Sequence, residues 1–575
     1  MLACPGRALT WSNCHDGLMA SHQSSFVLRG ALVVDGTGAP AQRVDVAVAG
    51  DRIVAVGDDA SAAVPGAEVV DLHGLVLAPG FVDPHTHYDA QVLWDPDLTP
   101  STWHGVTTVV MGNCGFGIAP AHPEHRGTIL RVLENVEGMP LDALEAGVRW
   151  EFETFPEYLD TLARTPTRAN VAAMIGHTAL RFFVMGDDAT EREATPDEVA
   201  QMAAEVDAAL DAGAVGFSTS RSTTHVGAYG RPVPSRAASL AEIDALADVL
   251  ARRRQGTFEA TFGPDFWVDE IGALAQRIKR PTSWSAIMST SRRPGVALDL
   301  ADRSAKYADY AHPQIACKPI ITSISVGEPF SFANVPAFEQ ALGLDHAGRA
   351  ALYRDETWRV RARAGMREMW DDVVDRGVVA ESTVHAHLVD GPSLAEQAVV
   401  RGVDSVDVML DLALAEDLGT RFRLVMVNDV DAEIEELLGR KQFLLGLSDA
   451  GAHTDMLCDA NYATVLLAKF HRERGVLSLE DAVWRLTGHP AAIYGIRDRG
   501  VIRAGAFADL VAFDLAHVGT GPMERICDLP AGASRLVSRG VGIAHVWVNG
   551  VATRRHGVDL DGVRPGVLVR SVPDS

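Results

Sequence analysis

The segment Pro79-Gly80-Phe81-Val82-Asp83-Pro84-His85-Thr86-His87 runs an apolar stretch into two histidines one residue apart. Alternate side chains of an extended chain share a face, so His85 and His87 can turn their imidazoles toward one cation. A lone histidine is most often a satisfied core or surface residue, whereas an HxH pair closing an apolar strand points to metal binding. Far along the chain, Phe443-Leu444-Leu445-Gly446-Leu447-Ser448-Asp449-Ala450-Gly451-Ala452-His453 sets an acid at the end of another apolar run. A buried carboxylate is costly without a partner. Asp449 therefore reads as a further metal ligand, with an N-cap for the following segment as the plainer alternative. His453 reads equally as a substrate contact or a loop residue. Between these segments, Thr107-Thr108-Val109-Val110-Met111-Gly112-Asn113-Cys114-Gly115 places a thiol among glycines just past a strand pattern. A thiol beside a divalent ion loses its proton and can ligate it, although a cysteine alone is usually a small buried apolar residue.

These groups need a scaffold that brings distant segments together. Short apolar runs at 81–87, 106–112, 170–176, 213–219, 256–261, 282–288, 314–320 and 442–449 read as strands. Helical spacing between them, as in Glu198–Leu210 and Leu240–Arg252, gives the alternation of a parallel α/β sheet. Eight such strands predict a (β/α)₈ TIM-like barrel over 79–497. If the eighth strand pairs with the first, Asp449 comes beside His85 and His87 at the C-terminal rim, where barrel active sites lie. The interval 326–441 is too long for a loop and reads as an insertion, with helical spacing from Leu394 to Leu418. It also holds a strand-like run, Arg423–Val427, which leaves the strand count open. The two chain ends, 26–78 and 498–575, share a β-branched, glycine-punctuated texture and predict one composite β domain. Residues 1–25 carry no periodic pattern and read as a disordered extension.

Composition bounds the function. The 575 residues include 51 basic and 76 acidic side chains, a net charge of −25, with 47% hydrophobic and 22% charged residues. That is a globular profile with a sizeable core. It argues against a nucleic-acid or anionic-membrane surface, which needs clustered Lys and Arg. The six cysteines (4, 14, 114, 317, 458, 527) are scattered without a CxxC pair, which suggests reduced thiols and a cytoplasmic setting.

The motifs resemble the amidohydrolase superfamily, in the D-aminoacylase (N-acyl-D-amino-acid deacylase) branch. The resemblance is carried by PGFVDPHTH at 79–87, GVTTVVMGNCG at 105–115, IGHTALR at 175–181, GFSTS at 216–220, GLSDAGAH at 446–453, LTGHPAAIYGI at 486–496 and DRGVIRAGAFADLVAFD at 498–514. It implies a metal-dependent barrel with a small β-sandwich from both ends, in a family that forms dimers or larger homo-oligomers. It also implies one metal site from the first-strand histidines and last-strand Asp, here His85, His87 and Asp449. A second site is implied from the GNCG cysteine, here Cys114, with histidines of strands five and six. Neither 256–262 nor 281–288 contains histidine. The family's Lys beyond strand six and Arg beyond the Asp, which grip a substrate carboxylate, have no counterpart in Met288–Ser291 or Asn461–His471.

Taken together, these features predict a hydrolase of a C–N amide-type bond acting on a small-molecule amide, with one divalent ion per chain and zinc as the expected metal. Asp449 would act as general base and His177, in IGHTALR, as an electrophilic contact to the carbonyl. Alternatives are a ligand-binding scaffold that keeps the barrel, or a hydrolase of cyclic amides, carbamates or natural-product amides. Secondary candidates are Arg181 for an anion, His225 at the mouth and Glu259 as an oxygen ligand. His385 and His387 form another HxH but lack a leading strand.

Overall fold

The computed structural model describes residues 25–574 apart from 333 and 371. The expectation for residues 1–25 therefore lies, but for Ser25, outside the described residues. Eight parallel strands form one curled sheet in chain order: β1 (Phe81–Asp83), β2 (Val106–Met111), β3 (Asn170–Gly176), β4 (Gly216–Ser220), β5 (Thr257–Thr261), β6 (Thr282–Ile287), β7 (Ala311–Ile315) and β8 (Leu444–Leu445). The ends of this sheet meet. Thr86 and Ala450 form a parallel bridge, the His87 N–H donates to the Ala450 carbonyl at 2.7 Å, and the Ser448 hydroxyl donates to the His85 carbonyl at 2.9 Å. The result is a TIM-like barrel.

The strands are almost wholly buried, as expected where helices cover a parallel sheet. Four differ from the predicted ranges by three residues or more at one end or both. β1 stops at Asp83 rather than 87, so His85 and His87 lie on the chain just past it, and β4 starts at Gly216 rather than 213. β7 begins and ends earlier than 314–320, because the buried Ala316 and Cys317 continue the apolar run past the last ladder pair, Ile315–Leu445. β8 is only two residues long, because the chain turns through left-handed conformations at Leu447 (φ 61°) and Asp449 (φ 44°).

Both chain ends contribute strands to a seven-stranded sheet, in which Leu510–Phe513 runs antiparallel to Val76–Pro79 and to Ile543–Val548. A four-stranded sheet, 52–57, 45–49, 25–29 and 68–71, shares a core with it in which Phe26 stacks on Trp547 at 6.0 Å. These sheets do not separate as a compact unit of their own. They belong with the barrel residues in one unit, and the other compact unit comprises Pro319–Asp429 with Asp455–Leu457. Within that second unit, Arg421–Val427 is the middle of a three-stranded antiparallel sheet between Ile320–Ile324 and Val378–Glu381. The strand-like run at 423–427 is therefore not a barrel strand. The helix Asp431–Gly439 falls with the barrel, so this unit starts and stops before the predicted 326–441.

Candidate metal centre

His85 and His87, just past β1, and Cys114, just past β2, converge at the rim. One ligand atom from each lies within 4.8 Å of the others, and all three residues are buried. The Asp449 Oδ1 atom lies 3.2 Å from His85 Nε2 and 3.8 Å from His87 Nε2. Cys114 Sγ lies 3.3 Å from the same His85 nitrogen. The expected meeting of the first and last strands is what closes this cluster.

The local chain is bent to achieve it. Cys114 and Asp449 both hold positive φ, 56° and 44°, a conformation that costs a non-glycine residue about 1–2 kcal/mol. Such strain persists where the surroundings impose it and commonly marks functional sites. Gly451 (φ 96°) has a clearer reason: a Cβ there would sit 2.6 Å from the His87 carbonyl oxygen.

Three of the four ligands have a polar partner behind them. Gln314 Oε1 lies 2.7 Å from His85 Nδ1, while the Gln314 amide nitrogen donates to Ser283 at 2.8 Å. The oxygen can only accept, so His85 Nδ1 carries a proton and Nε2 is the nitrogen that faces the cluster. Glu137 Oε1 lies 3.6 Å from His87 Nδ1. The Cys114 N–H donates to Glu259 Oε2 at 2.8 Å. Glu259 thus holds the cysteine from the strand-five position, and its other oxygen, Oε1, is buried without a hydrogen-bond partner.

The electrostatics are those of crowded donors. Burial, with the charge of neighbouring His85, pushes His87 down to about 3. Burial pushes the Cys114 thiol up to about 11 and the Glu259 carboxyl up to about 7. Burial also works against the charge on Asp449, yet the hydrogen bond and charge of His85 hold its carboxyl well below the usual carboxylate range. A lone pair, a thiol and a carboxylate pointed at one another repel unless a proton or cation lies between them. This donor set, two imidazoles, one sulfur and one carboxylate oxygen, suits a borderline-soft divalent ion.

The secondary candidates separate. His453 (φ 50°) keeps Nδ1 buried without a hydrogen-bond partner and Nε2 3.9 Å from Glu137 Oε2. His225 accepts or donates one hydrogen bond with Ser220 at 2.7 Å and is pushed down to about 3 by burial, then by the charge of His453. His177 does not fill the role of an electrophilic contact. Its Nδ1 lies 2.8 Å from Thr219 Oγ1 and its Nε2 2.9 Å from Glu242 Oε1, so neither ring nitrogen is left for a substrate carbonyl. Arg181 is likewise engaged, by both Glu242 oxygens at 2.5 Å and by backbone carbonyls. His385 precedes a single turn and His387 lies within it, with the His385 ring against the Leu412 carbonyl, and they join no group of possible ligands among the described residues. Glu137 was not a sequence candidate. It ends helix α1 (Arg126–Glu137), and only its burial distinguishes it from an ordinary helix-surface acid.

Parallel α/β barrels carry their chemistry beyond the C-terminal strand ends, and this cluster lies there; fold and site define an α/β-barrel enzyme. The sequence pattern of the amidohydrolase family matches residues 68–305 and 334–553, and the chain belongs to that family. It is a hydrolytic enzyme acting on carbon–nitrogen bonds. It is 31% identical to a D-aminoacylase of Alcaligenes xylosoxydans xylosoxydans, over 93% of this chain and 97% of that one. An N-acyl-D-aspartate deacylase of the same organism is 32% identical over 92% of each chain. The fold is similar to that of the N-acyl-D-glutamate deacylase of Bordetella bronchiseptica, solved with zinc and a phosphonate inhibitor. That similarity has a TM-score of 0.65 and 27% identity, covering 95% of this chain and 99% of that one. A D-aminoacylase structure described for its binuclear metal center matches to the same extent. No described helix is long and apolar enough to cross a membrane.

Proposed function

We propose that this chain is a metal-dependent, D-aminoacylase-like hydrolase of a small-molecule amide, with one divalent ion, zinc, per chain. The convergence of His85, His87, Cys114 and Asp449 carries the reading. His85, His87 and Asp449 would hold the ion, with Cys114 as a supplementary ligand. When bound, such an ion polarises a carbonyl and lowers the pKa of water toward neutrality. Asp449 would take the proton of the attacking water on its carboxylate and deliver it to the departing nitrogen. Gln314 and Glu259 keep His85 and Cys114 in place while this occurs. The single ion is supported by the ligand count: strands five and six offer Glu259, Ser283 and Ser285 in place of histidine, and Glu259 already accepts from the Cys114 N–H. The two sheets from the chain ends are read as a small β-sandwich supporting the barrel.

The relatives act on N-acyl-D-amino acids, by their names. Here, where a carboxylate-gripping Lys is expected beyond strand six, Met288 packs against an apolar cluster of Ala286, Ala316 and Leu447. This favours a substrate that is uncharged at that position. A ligand-binding scaffold without catalysis is the poorer account, because His85, His87, Cys114 and Asp449 are kept together and over 90% of the chain matches hydrolases. The test is metal analysis of the purified protein with an assay over N-acyl-D-amino acids, N-acyl-L-amino acids and cyclic amides, before and after chelation and zinc return. Turnover that is lost with the metal and restored by it is expected. Protein that holds no divalent ion and gains no activity from one sinks the proposal.

A further inference from the structure

Glu137 is almost wholly buried, and its two carboxyl oxygens face two histidine rings. Its Oε1 lies 3.6 Å from His87 Nδ1, and its Oε2 lies 3.9 Å from His453 Nε2. The residue also grips the rim by its backbone, since the His453 N–H donates to the Glu137 carbonyl. His453 closes the short loop that begins at Asp449. One residue at the end of α1 therefore faces a ligand just past the first strand and the loop that carries the carboxylate ligand past the last.

Taking a carboxylate out of water without Lys or Arg beside it is expensive. A ligand imidazole offers compensation. When Nε2 binds a cation, the N–H on the opposite side of the ring becomes a stronger donor, and a carboxylate there fixes both the tautomer and the ring plane. His87 presents the two sides this needs, Nε2 toward Asp449 at 3.8 Å and Nδ1 toward Glu137 at 3.6 Å, the latter just beyond a direct hydrogen bond.

We infer that Glu137 is a positioning residue: its carboxylate orients His87 for the ion and, through His453, holds the Asp449 loop against it. The inference rests on the metal-binding reading above. It assigns Glu137 no contact with substrate. His453, whose Nδ1 is buried and without a hydrogen-bond partner, is the far end of this linkage.

The test uses the full chain and zinc alone. Glu137→Gln keeps the size, one oxygen and the backbone clamp to His453, and removes only the charge. Zinc affinity, read by competition with a chromophoric chelator, should fall about 10–100-fold, the range expected when a ligand's outer partner is lost. Glu137→Asp, which keeps the charge but withdraws it by one methylene, should fall less. In the loaded enzyme, kcat should drop with KM near the wild-type value. Wild-type protein that does not bind zinc would refute the metal-binding reading itself. Wild-type protein that binds zinc, with Glu137→Gln or, should that variant fold poorly, Glu137→Asp binding it equally well, would overturn this inference alone.

Discussion

Gln314 holds His85 by its Nδ1 at 2.7 Å, so that the opposite nitrogen, Nε2, faces the Asp449 carboxylate at 3.2 Å. Residues from the first, seventh and eighth barrel strands or the turns after them meet in that one line. The line has a direction: protein acceptor, imidazole, then the space shared with a carboxylate and a thiol. It follows that the two ends of His85 can be perturbed separately.

His85→Ala and His87→Ala should each abolish amide hydrolysis while leaving the protein folded, because the barrel's hydrogen-bonded closure uses their backbones. Gln314→Ala should be graded instead. It removes the acceptor behind His85 and should weaken metal binding about 10–100-fold. Titration with zinc against a chelator, alongside circular dichroism, checks all three. Wild-type turnover in either histidine variant would refute the ligand assignment.

Asp449 and Cys114 should separate by role. Asp449→Asn keeps an oxygen near the ion but loses the proton acceptor, so turnover should fall much further than metal occupancy. Cys114→Ser should be the milder change. Measured kcat and bound metal per chain decide this. An Asp449→Asn enzyme of near-normal rate removes Asp449 from proton transfer, and two tightly held ions per chain defeat the single-ion reading.

The sequence exposed this site unevenly, and the reason is distance along the chain. His85, His87, Cys114 and Asp449 sit just past apolar strands, so a local pattern marks each one, and barrel closure supplies their meeting. Glu137 has no such mark. It lies in the same amphipathic helix as the half-exposed Glu134, and only packing of the 449–453 loop over the helix end makes one differ from the other. Gln314 was hidden for a related reason: β7 contains His312 and Pro313, which blur its pattern and displaced its predicted range by three residues at the start. His177 shows the converse. Its motif suggested chemistry, but a carboxylate from a helix more than sixty residues away takes its second nitrogen.

That buried group is a structural one and should behave so. Glu242, at the start of helix 240–253, bridges His177 and Arg181, and all three side chains are inaccessible to solvent. Glu242→Ala would strand the Arg181 guanidinium without its carboxylate, a change that typically costs about 3–5 kcal/mol. A large fall in melting temperature is expected, with normal specific activity in whatever protein remains folded below that temperature. A variant as stable as wild type would show that the network contributes nothing.

His104 sets an acid limit on stability. It is fully buried, with ring nitrogens 2.8 Å from Thr464 Oγ1 and 2.9 Å from the Ser538 carbonyl, and burial lowers its pKa to about 4. The unfolded chain takes up a proton near pH 6.5 that the folded chain refuses until about 4. The stability this residue contributes is therefore intact above pH 6.5 and declines as pH falls toward 4, by about 1.4 kcal/mol per pH unit. His104→Gln should flatten that part of the stability curve, measured by urea denaturation at pH 7.5, 5.5 and 4.5. Parallel curves for the two proteins would contradict it.

Substrate choice follows from the apolar cluster at the ends of β6, β7 and β8. A carboxylate brought against Met288, Ala286, Ala316 and Leu447 would lose hydration without gaining a cation. Simple N-acyl-D-amino acids should therefore be poor substrates beside neutral amides of similar size. The penalty should appear mainly in KM, since a charge far from the scissile bond is desolvated on binding and stays so through the reaction. Met288→Lys supplies a cation at that position and should narrow the gap by improving the charged substrates. Steady-state kinetics on matched pairs, an N-acyl-D-amino acid and its amide, read both effects. A wild-type enzyme turning over N-acetyl-D-methionine at about 10⁴ M⁻¹s⁻¹ or better, within the ordinary enzyme range, would show that another group grips the carboxylate.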